Sequence, residues 1–132
     1  MSLHRHNPAD LSPPTGFSHA VTATGTRLVF LAGQTSLDRD GKVTGETLPE
    51  QFETALGNLM AALRHAGGSP ADLARVTVYT TDVAAYRRHA HELGRIWHRL
   101  ASRDYPAMAV IGVVRLWDEQ ALVEVDGFAV VD

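Results

Sequence analysis

Glu124 stands inside the run Leu122 to Val131, directly between Val123 and Val125. A carboxylate in such a Val-rich strand must be paired, hydrated in a pocket, or shifted in pKa. A shifted carboxylate is the profile of a general acid or base, able to exchange a proton with water or a reacting atom. The same position also suits a carboxylate on a wet or ion-paired sheet face, with Arg115 close enough in sequence to be its partner.

Other chemistries find less support. The chain has seven His and no Cys. Without Cys there is no disulfide, thiol nucleophile, thiolate zinc site or iron–sulfur cluster. His89 and His91 lie two apart on a helical stretch and so do not share a face. His4 and His6 have no companion cluster, so no metal site is expected. Gly67-Gly68 follows a helix instead of opening one and is no phosphate cradle. Neither a G-x-S-x-G elbow nor a Walker pattern is present.

The elements that must position Glu124 follow from periodicity. Met1 to Gly16 reads as irregular, broken by Pro8, Pro13 and Pro14. Phe17 to Ala23 and Arg27 to Ala32 read as strands, with Thr24-Gly25 as the turn between them. Thr47-Leu48-Pro49-Glu50 has the form of a capping box. Phe52, Ala55, Leu56, Leu59 and Leu63 then trace one face of a helix ending at Gly67-Gly68. Arg75 to Thr80 alternates and is β-branched, a strand. Asp82 caps a second helix, with Tyr86, His89, Leu93, Ile96, Trp97 and Leu100 on its apolar face. It stops before Tyr105-Pro106. Ala107 to Val114 and Leu122 to Val131 are the last strands. The order β-β-α-β-α-β-β predicts an α+β fold, two helices covering one face of a mixed sheet. In the last strand both faces carry apolar residues, so association over the second face is expected.

At 132 residues a single domain is expected, spanning 1–132. Lys and Arg number 12 against 15 Asp and Glu. That balance, with no basic stripe, argues against a dedicated nucleic-acid partner. The opening MSLHRHNPAD has no apolar signal core, and no run reaches the ~18–20 apolar residues of a membrane span. A cytoplasmic location without membrane contact is the expectation.

In order along the chain stand Gly16-Phe17-Ser18-His19-Ala20, Val29-Phe30-Leu31-Ala32-Gly33-Gln34-Thr35, Asp40-Gly41, Gln51, Asn58-Leu59 and Ala66-Gly67-Gly68-Ser69. Val76-Thr77-Val78-Tyr79 with Asp82, Tyr105-Pro106-Ala107, Arg115-Leu116 and Val123-Glu124-Val125 follow. From about Thr15 to Val130, this series resembles the RidA/YjgF family of small enamine/imine deaminases. The resemblance implies a chorismate-mutase-like fold and a homotrimer that binds a small molecule in clefts between subunits. It implies hydrolysis of enamines and imines to keto acids and ammonia, with no metal and no organic cofactor. It assigns water activation to Glu124 and pocket backbone to Ala32, Gly33 and Gln34.

The chain departs from the family pattern at the other pocket positions. Met108 stands where the family has a carboxylate-binding Arg, Phe17 where it has a Tyr, and Val110 where a Cys is frequent. Ala90 takes the place of an Asn found in some members. Met has no planar fork to pair a carboxylate and fills apolar space instead. Losing such a pair costs on the order of 2–5 kcal/mol. Phe17, Met108, Val110 and Trp117 would form an apolar pocket, with Arg115 a source of charge from elsewhere. The reading is a RidA-like hydrolase for a substrate other than the usual amino-acid imines. The alternative is a non-catalytic trimeric module that binds a small molecule or a partner. A ribonuclease or translation inhibitor, a label the family sometimes carries, fits the charge balance least.

Overall fold

The computed structural model describes residues 2–132. Six strands and three α-helices run in the order β1 (Ser2–His6), β2 (Ala20–Thr24), β3 (Arg27–Gln34), α1 (Leu48–His65), β4 (Leu73–Thr80), α2 (Val83–Arg88), α3 (Ala90–Leu100), β5 (Ala107–Gly112) and β6 (Val123–Val131). β3, β6, β4 and β5 form a four-stranded sheet in that spatial order. β4 and β5 are parallel; β6 is antiparallel to both β3 and β4. β1 and β2 make a separate antiparallel pair.

The ends of α1 follow from side-chain chemistry. The Glu50 N–H donates to Thr47 Oγ1 at 3.3 Å, and Pro49 sits in the first turn. Glu50 reaches back beyond Thr47, its carboxylate accepting from the Glu46 N–H at 3.3 Å. At the other end Gly67 takes φ +89°. The N–H groups of Gly68 and Gly67 donate to the carbonyls of Leu63 and Arg64, both at 3.0 Å, closing the helix as a Schellman turn. The predicted face of α1 is buried throughout, at Phe52, Ala55, Leu56, Leu59 and Leu63. It packs on β3, β6 and α3.

Three expectations are corrected. The segment read as irregular contains β1, whose register pairs Leu3 with Ala23 and Arg5 with Val21; Met1 lies outside the described residues. The prolines that obscured this strand all follow it. The strand expected over Phe17 to Ala23 occupies Ala20–Thr24 instead. Ser18, just before it, is held to the start of β5, its N–H donating to the Pro106 carbonyl at 3.0 Å. The second helix is two helices. His89 (φ −98°, ψ 11°) leaves helical geometry, although its N–H still donates to the Ala85 carbonyl at 3.0 Å. The bend lets Tyr86 meet Phe52 edge-on at 6.3 Å while Trp97 stacks on Tyr105 at 5.6 Å.

Candidate active site

β6 separates its side chains cleanly. Val123, Val125, Gly127, Ala129 and Val131 are buried beneath the helices. Glu124, Asp126 and Phe128 stand on the opposite face, which no helix covers. Register places Tyr79 beside Glu124, Thr77 beside Asp126 and Phe30 beside Phe128. That face is strongly apolar toward β3. Phe30 is 73% exposed and Leu28 64%, and Phe30 meets Phe128 edge-on at 5.6 Å.

The acidic end of this face holds the expected catalytic group. Glu124 is half-buried. Burial, then the nearby carboxylates of Asp126 and Asp118, raises its pKa above the ordinary value of 4.5. The Tyr79 hydroxyl donates to Asp126 at 3.4 Å. Arg115 is not the partner of Glu124: its guanidinium donates to the Leu116 and Trp117 carbonyls at 3.1 and 3.2 Å within its own loop. Among the described residues no cation pairs with Glu124 to offset that rise.

Beside Glu124 the β3 ladder is interrupted. Leu31 pairs with Gly127 and Gln34 with Val125, so Ala32 and Gly33 together oppose the single residue Asp126. This is a β-bulge, which leaves backbone groups outside the ladder. Ala32 and Gly33 are exposed. A Cβ on Gly33 would stand 2.4 Å from Glu124 Oε2, so only glycine lets the carboxylate lie against this backbone. Gln34 rejoins the ladder opposite Val125, on the helix-facing side.

Met108 and Val110 are elsewhere. Their register partners on β4 are Val76 and Val78, both buried in the core face. They line a cavity of about 430 Å³ between β5 and α3, together with Thr15, Gly16, Ala90 and Trp97. Phe17 packs edge-on against His19 at 5.0 Å, next to that cavity in sequence but not in its wall. Trp117 is 91% exposed and shares a shallow depression with Arg115 and Leu116. One chain thus keeps the expected residues apart: Glu124 with Ala32 and Gly33 on one face of the sheet, Met108 with Val110 on the other, and Arg115 with Trp117 in a loop.

Several residues of these groups escape a sequence reading. Asp126 and Tyr79 join Glu124 through strand neighbours. Tyr105, whose hydroxyl lies 2.9 Å from His98 Nε2, walls the cavity, as does Tyr86, whose phenol burial pushes up to about 12. The Trp97 indole N–H is buried and has no hydrogen-bond partner among the described residues. Motif residues outside the groups hold loops. Buried Gln51 donates to the Gly45 and Gln120 carbonyls, both at 3.1 Å, and accepts from the Leu122 N–H at 2.8 Å. Asn58 donates to the Thr35 and Leu37 carbonyls at 3.1 and 3.0 Å. Among the described residues no cluster of three or more His, Asp or Glu is arranged to hold a metal ion. None of their helices is long and apolar enough to cross a membrane.

Comparison with known proteins places this geometry. The profile of the endoribonuclease L-PSP family matches residues 8–131. A RutC family protein of Pyrococcus abyssi is 28% identical over 102 residues, 76% of each chain. A Rid-family protein of unknown function from Yersinia pestis, YyfB, is 31% identical and superposes with a TM-score of 0.85, covering 98% of this chain and 99% of its own. RidA of an Antarctic Psychrobacter, 24% identical, shares the fold at a TM-score of 0.68, covering 96% of this chain and 94% of its own. The α+β fold is the chorismate-mutase-like fold that the resemblance implied.

Proposed function

The chain belongs to the endoribonuclease L-PSP family, the RidA/YjgF proteins, and on that footing we propose that it hydrolyses enamines or imines in clefts between copies of itself. The observation that carries this reading is the Glu124 carboxylate, half-buried with a raised pKa against the bulged backbone of Ala32 and Gly33. A carboxylate whose pKa is raised accepts a proton more readily than an ordinary one. Glu124 takes a proton from water as the oxygen adds to the imine carbon. It returns that proton to nitrogen to give a carbinolamine, then carries the carbinolamine hydroxyl proton to nitrogen as the C–N bond breaks, leaving a carbonyl compound and ammonia or an amine. Unpaired backbone groups at Ala32 and Gly33 orient the substrate.

Assembly as a homotrimer is supported by the exposed Leu28, Phe30 and Phe128, an apolar face of the kind that monomers seldom leave in water. It would also let a Glu124 face meet a neighbour's Met108 cavity. Ribonuclease action fits less well, because Glu124, Asp126 and Asp118 would repel a phosphodiester. A second reading, a binding module without turnover, is favoured by Met108, which removes the family's carboxylate anchor.

The test is imine hydrolysis by the purified chain. Amino-acid imines are generated in situ by an amino-acid oxidase, with keto acid formation followed against semicarbazide trapping, and uncharged aryl imines run in parallel. Glu124→Gln is expected to slow turnover about 10²–10⁴-fold. Unchanged turnover in that variant, on every substrate hydrolysed, sinks the mechanism. Ligand binding without turnover in the wild type selects the binding module.

A further inference from the structure

The cavity between α3 and β5 has a composition of its own. Its apolar wall is Tyr86, Leu93, Trp97, Met108 and Val110, and no Asp or Glu lines it. Its volume of about 430 Å³ lies in the range of small-molecule sites. At its edge stand His91, Arg95 and His98, spaced four and three apart on α3 and so on neighbouring parts of one helix surface. His98 is engaged by the Tyr105 hydroxyl.

Arg95 is different. It also borders a groove that carries Glu50, Glu53 and Glu92, yet each of these carboxylates has another partner. Glu50 accepts from the Glu46 N–H and the Thr47 hydroxyl. Glu53 pairs with Arg99. Glu92 lies 3.7 Å from His89 Nδ1. Among the described residues Arg95 makes no hydrogen bond or ion pair, leaving a guanidinium with five N–H donors beside an apolar cavity. Gly94, the residue before it, keeps the cavity open. A Cβ there would find nothing nearer than the Tyr105 hydroxyl at 4.0 Å.

We propose that this cavity binds amphipathic anions, an aromatic or branched apolar body lying on Met108, Val110 and Trp97 and an anionic group held by Arg95. The anchor missing at Met108 is thereby supplied from α3 instead of β5. Moving the charge to the helix leaves the floor of the cavity apolar, so a bulky body fits where a short acid would find no partner. The inference rests on the hydrolase reading only in calling such a ligand a substrate; the binding stands without it.

The test is calorimetric titration of the assembled protein with 3-phenylpropanoate and its uncharged counterpart 3-phenylpropanamide. The wild type is expected to bind the anion about tenfold tighter than the amide. Arg95→Gln removes that preference while leaving amide binding unchanged. Gly94→Leu, which fills the cavity, weakens both. The proposal is overturned if the wild type binds neither probe, binds both equally, or keeps its preference in Arg95→Gln. Binding as described without imine turnover in the wild type would remove the hydrolase reading and leave this site standing. Turnover without binding of either probe would do the reverse.

Discussion

Met108 and Glu124 stand on opposite faces of one four-stranded sheet: Met108 shares a register position with buried Val76, while Glu124 shares one with Tyr79 on the uncovered face. A small ligand cannot touch both within a single chain. If both serve one reaction, each site is made by two chains. Refolding Glu124→Gln chains together with Gly94→Leu chains is then expected to restore turnover that neither variant has alone. With random mixing in a ring, about one cleft in four combines an intact carboxylate with an intact cavity. No recovery in verified mixed oligomers would place the whole reaction on one chain.

The bulge sets Gly33 against the Glu124 side chain, so the proposed chemistry and not the fold is what a side chain there would disturb. Gly33→Ala drives its Cβ against the end of a flexible side chain, so Glu124 swings away and the fold survives. Turnover should fall as far as in Glu124→Gln, with an unchanged melting temperature. Gly127→Ala is the contrast. Its Cβ would meet the Arg75 carbonyl oxygen at 2.3 Å, backbone that cannot yield without parting β4 from β6. That variant is expected to lose more than ~4 kcal/mol, seen as insoluble or unfolded protein.

Glu124 also sets a pH dependence. Burial, with Asp126 and Asp118 nearby, raises its pKa above 4.5 in the native state. Folding thus favours the protonated form, so the contribution is full below pH 4.5 and is lost as pH rises through the native pKa. Glu124→Gln cannot ionise and escapes the loss. It should melt higher than wild type at neutral pH, with the difference closing below pH 4.5. A constant difference across the titration would contradict the raised pKa.

Gln51 is buried and holds three backbone groups from two loops. Gln51→Leu keeps the volume but leaves the Leu122 N–H and two carbonyls without that partner. Urea denaturation should show a loss on the order of 3 kcal/mol. A loss under ~0.5 kcal/mol would mean that water takes over those bonds.

Gly94 is costly to α3 whatever its use. Gly→Ala inside a helix is worth ~0.5–1 kcal/mol, and the nearest atom to an added Cβ here is 4.0 Å away. Gly94→Ala should raise the melting temperature while trimming the cavity and weakening 3-phenylpropanamide binding.

Local signals carried the fold a long way. The cap at Thr47, the stop at Gly67-Gly68 and the apolar face of α1 act within a few residues, so the sequence displays them directly. Glu124 was legible for the same reason: its two valine neighbours are adjacent in the chain. The bulge at Ala32–Gly33, the split at His89 and the pairing of β1 with β2 depend on partners distant in sequence. So does the parting of Met108 from Glu124, which follows from their β4 register partners, Val76 and Tyr79, lying an odd number of residues apart. Arg95 was hidden because its meaning lies in what its acidic neighbours already hold.

The strand that carries Glu124 is the last of its sheet in chain order. β6 lies between β3 and β4 and is bonded to both. On the ribosome, those two strands emerge with facing edges that nothing yet fills, and α1 has only part of a sheet to rest on. The sheet can close only once Val123–Val131 is out. Folding of this layer thus waits for Val123–Val131, and the Glu124 carboxylate arrives in the same step. A chain interrupted before Val123 would lack the middle of its sheet as well as Glu124, so no half-made copy could display one without the other.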